Sequence, residues 1–422
     1  MFPDYFANYL LGLCPLKPSM RDHHECHRHD APFLVYHALR AVHAKLIVRC
    51  GDRVPLIDII AGARPNFMKV APIIRALEAR AAGGSALRYR LIHTGQHYDT
   101  KMSGEFFMQL GIPTPHVNFD VGSGTQAEQT AAIMVRYEAL LLDAPSDLCL
   151  VVGDVTSTMA CTIAAQKLKI RVAHVEGGIR SGDWSMPEEI NRLVTDAITN
   201  MFFTTSEVAN ANLRASGVHD DRIFFVGNTM IDTLVSNMPR LRPPPFWDTL
   251  GLASGSYIVL TLHRPANVDK ATSLVDVLHA VGTGARGLPV LFPVHPRTAK
   301  VLAPMSGLPA NLHVVEPQPY LEFNYLTRHA KAVITDSGGV TEETTYMGVP
   351  CMTLRTTTER PETVTEGTNE LLGIDPAALA PAFARLFDGT WKRGTIPQLW
   401  DGQTGKRIAE ILDRTLVTDQ PR

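Results

Sequence analysis

Apolar residues recur along this chain in two alternating rhythms. Short continuous runs such as LIDIIA (56–61), LCLVV (148–152), RVAHV (171–175) and YIVLTL (257–262) stop abruptly at polar or charged residues. Between them lie longer stretches with a helical spacing of apolar positions, for example RPNFMKVAPIIRALEAR (64–80) and TQAEQTAAIMVRYEALLLD (125–143). Continuous apolar runs fit strands buried on both faces, and strands alternating with helices predict parallel α/β sheets. The rhythm breaks at NMPRLRPPPFWDTLGLASGS and then restarts. Residues 55–236 therefore read as a first α/β domain, 237–255 as a linker, and 256–395 as a second α/β domain. Residues 396–422 read as a C-terminal helix that returns to the first domain. Residues 1–54 lack this periodicity and read as an extension outside the globular part.

Three acids stand out against that frame. Asp154 and Glu176 end consecutive predicted strands, and Glu188 follows Pro187 where a helix begins. In open parallel sheets ligands bind outside the carboxyl ends of the strands, so these carboxylates are expected in one crevice. His263 and Arg264 end the first strand of the second domain in the same way. Arg64 and Lys69 flank the start of the first helix, where cations reinforce the anion-attracting helix N-terminus. The segment AVITDSGGVTEETTYMG predicts a strand, a Ser337-Gly338-Gly339 turn and a helix, a phosphate cradle with Glu342 and Glu343 in the first helical turn. Arg360, in TTTERPE, is a guanidinium suited to phosphate or carboxylate, or to a surface ion pair with its neighbouring Glu. No GxGxxG and no GKS or GKT accompanies these motifs, which removes support for dinucleotide oxidoreductase and nucleoside triphosphatase readings.

Composition narrows the classes further. The chain has 422 residues, a net charge of −2 and no apolar run of membrane-spanning length, so bulk charge and hydropathy point to neither nucleic acid nor membrane. Its 6 cysteines form no CxxC pair and read as small core residues of a reducing cytoplasm. DHHECHRHD, at 22–30, invites a metal reading, but its spacing fits no zinc pattern. No signal peptide is expected.

The ordered motifs GARPNFMKVAP, TGQHYD, GDVTST, HVEGGIRSGDWSMPEEINR, VGNTMID, TLHRPAN, FPVHPRT, TDSGGVTEE and TTTERPE resemble the non-hydrolysing UDP-N-acetylglucosamine 2-epimerase family from about Ile57 to Gly373. The resemblance implies two Rossmann-like domains facing a cleft, as in GT-B glycosyltransferases. It implies catalytic roles for Asp154, Glu176, Glu188 and His263. It implies a UDP-sugar held by Ser337, Gly338 and Gly339 at phosphate, Glu343 at ribose, Arg360 at the nucleotide end, and Arg64 and Lys69 from the first domain. Gln96, His97, Arg264 and His295 match parts of a family activator site for a second UDP-sugar, although Asp99 stands where a Gln is often found. Asn66 and Ala266 replace Glu residues of the commonest pattern, HVEGG replaces HVEAG, and the segment before Pro187 is short. A cytoplasmic homodimer is implied by the family alone, and the chemistry calls for no metal, nicotinamide or other cofactor. A hydrolysing epimerase, a glycosyltransferase and a catalytically silent UDP-sugar sensor are the competing readings.

Overall fold

Two parallel sheets carry the chain, each arranged around a point where the strand order reverses. The computed structural model describes residues 54–95, 109–264, 271–294, 296–302, 305 and 307–418. The extension through Arg53, and Gln96, His97, Asp99, Ala266 and His295, lie outside the described residues, as does the side chain of Arg64.

The first sheet contains β1 (Leu56–Ala61), β2 (Arg88–His93), β3 (Val117–Asn118), β4 (Leu148–Val152), β5 (Arg171–Val175), β6 (Met201–Thr204) and β7 (Ile223–Phe225). Their order is β3-β2-β1-β4-β5-β6-β7, with every pairing parallel. β1 pairs with β2 on one side and β4 on the other, so the connections leave β1 in one direction and return in the other. The second sheet contains β8 (Ile258–Thr261), β9 (Val290–Pro293), β10 (Leu312–Val315), β11 (Ala332–Thr335), β12 (Cys351–Thr353) and β13 (Asn369–Leu371). Its order is β10-β9-β8-β11-β12-β13, again all parallel, with the reversal between β8 and β11. The expectation of two parallel α/β halves holds. The reversals place crevices outside the ends of β1 and β4 in one sheet and of β8 and β11 in the other.

The cores follow from the apolar runs. All five residues of β4 are buried, as a strand covered by helices on both faces requires. Ile57, Ile59, Leu148, Leu150, Val152 and Phe203 share one cluster with Val70, Ile73 and Leu77 of the Arg64–Ala82 helix. Ile258, Leu260, Phe292 and Ile334 anchor the corresponding cluster of the second sheet. Cys149, Cys161 and Cys351 are buried free thiols.

The Thr404–Asp413 helix joins the first sheet's core through Ile408, Ala409 and Leu412. A Cβ on Gly405 would lie 2.5 Å from the carbonyl oxygen of Pro72, so only glycine permits this approach. Asp232 fixes the entry by accepting from Thr404 N at 3.1 Å and Gly405 N at 2.7 Å. The Pro-rich segment 237–255 is more than a tether. Trp247 packs edge-on against Tyr257 and Tyr325 at ring centroid distances of 5.6 and 5.1 Å. From Val54 onward the chain forms one compact unit. Among the described residues no helix is long and apolar enough to cross a membrane.

Candidate active site

A cavity of about 820 Å³ opens between the two sheets at their reversal points. The first sheet lines it with Lys69, Asp154, Glu188 and Arg192; the second with His263, Arg264, Ser337, Gly338, Gly339, Glu342 and Arg360.

Asp154 lies just beyond β4. Gly153 before it has φ +69°, and a Cβ there would lie 3.1 Å from Lys69 Nζ, so the turn requires glycine. Asp154 Oδ2 accepts from Arg192 Nη2, yet its side chain keeps 30% of its surface exposed to the cavity. Arg192 also donates to Glu189 Oε2 at 2.6 Å through Nη1. Burial pulls the Arg192 pKa down, but Asp154 and Glu359 outweigh it and the net shift is upward. Glu189 is fully committed, accepting from Ser181 N at 3.0 Å and Gly182 N at 3.1 Å. Its neighbour Glu188 turns the other way, lines the cavity and makes no ion pair with the described residues.

Glu176 departs from expectation. It follows β5 at φ +71°, a left-handed conformation that non-glycine residues rarely adopt. This turns its carboxylate beneath the cavity floor, where it is 4% exposed and absent from the cavity wall. Oε2 accepts from Lys69 Nζ at 2.7 Å and from Arg360 Nη2 at 2.9 Å. Burial raises the Glu176 pKa, but the two cations outweigh it and hold the carboxyl down at about 2. Glu176 is thus an ionised anchor for two cations in this arrangement, and presents no proton to the cavity.

Arg360 is correspondingly buried. Besides Glu176 it binds Glu342 through Nε, and Glu342 also accepts from Asn228 Nδ2 at 2.8 Å. Both partners hold the guanidinium charged against the effect of burial. A surface pair with the adjacent Glu359 is therefore excluded. Glu359 instead takes Arg355 bidentately, with two contacts of 2.7 Å, and burial notwithstanding is held at about 2.

The glycine turn is open. The helix runs Gly338–Met347, so Glu342 and Glu343 fall in its second turn, and the first turn carries no acid. No side-chain carboxylate therefore compensates the positive end of the helix dipole within its first turn. A Cβ on Gly338 would meet nothing nearer than Glu359 Oε2 at 3.9 Å. The glycines leave free volume over backbone N–H groups, as an anion cradle needs. Glu343 is buried and does not line the cavity. Its Oε1 accepts from Asn324 Nδ2 at 3.3 Å, and burial raises its pKa to about 7 against the opposing hydrogen bonds of Asn324 and Tyr320.

On the same wall, Asp336 is fully buried and accepts from His263 N and Arg264 N, the latter at 2.9 Å. His263 Nδ1 lies 2.8 Å from Asp336 Oδ1, while 59% of the imidazole remains exposed. Arg264 donates through Nε to the Asp336 carbonyl at 3.0 Å and approaches Glu359 at 3.7 Å, so it shares this wall with His263.

Two supports were not legible as single motifs. Asn66 Oδ1 accepts from Gly62 N and Ala63 N, at 3.2 and 3.0 Å, while its Nδ2 donates to Val152 O at 2.9 Å. An amide does both jobs, whereas an ionised glutamate cannot donate. His174 bridges Asp196 at 2.7 Å and the Gly153 carbonyl at 2.8 Å, tying β5 to the Asp154 turn. Among the described residues no group of three or more His, Cys, Asp or Glu could hold a metal ion.

The family model described as UDP-N-acetylglucosamine 2-epimerase matches residues 79–413. The UDP-N-acetylglucosamine 2-epimerase of Methanocaldococcus jannaschii is 39% identical over 367 residues, covering 84% of this chain and 98% of that one. The UDP-2,3-diacetamido-2,3-dideoxy-D-glucuronate 2-epimerase of Pseudomonas aeruginosa is 37% identical over 359 residues, with 84% and 98% covered. Among solved structures, the M. jannaschii UDP-GlcNAc 2-epimerase in complex with UDP-GlcNAc and UDP aligns with a TM-score of 0.75 and 38% identity. That alignment covers 85% of this chain and 99% of the other.

Proposed function

Because this chain belongs to the UDP-N-acetylglucosamine 2-epimerase family, we propose that it interconverts UDP-GlcNAc and UDP-ManNAc by eliminating and re-adding UDP. The reading is carried by one juxtaposition: Asp154 and Glu188 open onto the cavity from one sheet, while His263 and the bare Ser337–Gly339 turn open onto it from the other.

The C2–H bond of an N-acetylhexosamine is not adjacent to a carbonyl, so direct deprotonation is unfavourable. Elimination avoids this. The C1–O bond breaks with its electron pair going to the diphosphate, positive charge grows at C1, and C2 gives its proton to a carboxylate. A glycal results. In the reverse sense a proton is delivered to the opposite face of C2 and a diphosphate oxygen rebonds to C1. Two carboxyl groups on two sides of the ring serve this exchange, and Asp154 and Glu188, both half-buried on the cavity wall, are the pair assigned to it. Their negative field also stabilises the cationic transition state.

The glycine turn receives the diphosphate, with His263 beside it donating to the departing oxygen. The family resemblance assigns Arg64 to the same group, and Lys69 and Arg360 supply positive potential from the cavity floor. The family resemblance assigns Glu343 to the ribose hydroxyls; here its carboxylate is buried and accepts from Asn324. The cytoplasmic location and the homodimer belong to the same proposal.

The decisive experiment incubates purified protein with UDP-GlcNAc and follows all products by proton NMR. UDP-ManNAc at equilibrium with substrate supports the non-hydrolysing reaction. Accumulation of UDP with free ManNAc would assign the hydrolysing one. The P. aeruginosa relative makes a UDP-2,3-diacetamido sugar the second substrate to assay.

A further inference from the structure

We infer that Asp336 is a positioning residue for His263: it fixes the imidazole with Nδ1 protonated and Nε2 turned to the cavity. The inference rests on the epimerase reading for what His263 does, but not for how His263 is held.

The geometry is closed on one side and open on the other. Asp336 has no exposed surface, whereas 59% of the His263 side chain is exposed. Its Oδ1 lies 2.8 Å from His263 Nδ1, and its oxygens also accept from the backbone N–H of His263 and Arg264. Both Asp336 oxygens already act as acceptors toward these backbone N–H groups, so the ring nitrogen facing Oδ1 is the donor and carries the proton. That leaves Nε2 as the nitrogen available to the cavity that His263 lines.

The two residues stand at the carboxyl ends of the adjacent strands β8 and β11, whose register pairs Thr261 with Thr335. The pairing is thus set by the sheet reversal itself and does not depend on domain closure. Ser337, one residue beyond Asp336, opens the glycine turn. The carboxylate therefore couples the imidazole to the same wall that receives the diphosphate. When the C1–O bond breaks, the growing negative charge on the phosphate oxygen meets a donor whose orientation is already fixed, so no reorganisation is needed at that moment. No proton or electron leaves Asp336 in this step: it holds the Nδ1 proton while Nε2–H donates to the oxygen.

A merely structural Asp336 would anchor the 263–264 backbone and leave the ring indifferent. The two roles separate experimentally. Imidazole ¹⁵N–¹H correlation spectra of the full-length protein, with His263→Gln identifying the resonance, should show Nδ1-bound hydrogen in the unmodified protein. In Asp336→Asn this signature should shift toward a tautomer mixture. For UDP-GlcNAc turnover, Asp336→Asn should lower kcat by roughly 10²-fold, the low end for a positioned acid or base. KM and UDP affinity should change by no more than about two-fold, since ground-state binding is untouched. Combining it with His263→Gln should add little further loss, because the two act as a unit. A neutral unmodified imidazole protonated at Nε2 would overturn the inference even if Asp336→Asn failed to fold. So would additive losses, or a kcat unchanged in a folded variant. Absence of turnover in the unmodified protein with every UDP-sugar tested would instead sink the epimerase reading, leaving the tautomer result to judge the pairing.

Discussion

Arg360 and Glu176 meet at 2.9 Å although 184 residues separate them, and the contact joins the half built on the second sheet to the half built on the first. The same guanidinium holds Glu342, and the same carboxylate oxygen holds Lys69. This buried chain of alternating charge forms the floor of the cavity. Its worth lies in its completeness, since removing one member leaves the others buried and uncompensated.

Glu176→Gln should therefore destabilise the fold by about 3–5 kcal/mol, the usual loss when one partner of a buried pair is removed. Thermal or denaturant unfolding at neutral pH measures this. The pH dependence has a definite sign. A carboxyl held at about 2, below its unfolded value, contributes stability present above about 4.5 and lost as pH falls toward 2. The variant should converge on the unmodified protein in acid, and a gap that stayed constant from pH 7 to pH 3 would contradict this account.

Glu362 shows the opposite sign. It is 3% exposed, and neither carboxyl oxygen has a hydrogen-bond partner among the described residues. Burial raises its pKa to about 7 despite the nearby Arg360. Its neutral form is the one the fold accepts, so its contribution is fully present below about 4.5 and is lost as pH rises through about 7. Glu362→Gln should leave stability at pH 5 nearly unchanged and raise it at pH 8.5, by up to about 3 kcal/mol for a shift of this size. Melting temperatures across that range decide the matter; a variant that tracked the unmodified protein at every pH would show that Glu362 is ionised without penalty.

Gly338→Ala tests the cradle apart from the fold. Its added methyl has room, with the nearest atom 3.9 Å away, and alanine suits a helix at least as well as glycine. Melting temperature should hold or rise slightly. UDP affinity by calorimetry should fall by roughly ten-fold or more, because the methyl occupies the space over the backbone N–H groups at the helix start. Unaltered affinity would move the phosphate away from this turn.

The fold was legible where apolar runs were long, and the cleft where such runs ended in polar residues. β4, β5, β8 and β11 announce themselves in this way, and their ends carry Asp154, Glu176, His263 and Asp336. The short edge strands Val117–Asn118 and Asn369–Leu371 hold too few residues for a period to register. The site was legible as a set of residue types and less so as a set of directions. Nothing in HVEGG reveals that Glu176 takes φ +71° and turns beneath the floor. Nor does spacing connect Asp154 to Arg192, or His263 to Asp336, since those pairs join segments far apart in sequence that the fold brings side by side. Placing the glutamates of VTEE in the first turn failed for a local reason: with two glycines at its start, the helix begins at Gly338.

The half-buried cavity carboxyls Asp154 and Glu188 carry the last prediction. In deuterated water the product of UDP-GlcNAc turnover should contain deuterium at C2, because the proton removed by one carboxyl exchanges with solvent before another returns. Asp154→Asn and Glu188→Gln should each slow turnover by roughly 10²–10⁴-fold, the span for a positioned acid or base. The amides preserve shape, so UDP affinity should survive in both. For Asp154→Asn the hydrogen bond to Arg192 persists through the amide oxygen, which separates loss of proton transfer from loss of the ion pair. Glu188 has no such pair with the described residues, so its variant should retain full stability. Glu176→Gln supplies the contrast. If Glu176 holds cations and exchanges no proton, its folded variant should still wash deuterium into C2 at a rate that keeps pace with its residual turnover. By contrast, a variant blocked at one face of C2 should release glycal and UDP, or exchange substrate without forming product. Product from the unmodified protein that lacked C2 deuterium would count against solvent-exchanging carboxyls. Near-normal turnover in either Asp154→Asn or Glu188→Gln would remove that residue from the proton path and return Glu176 to contention.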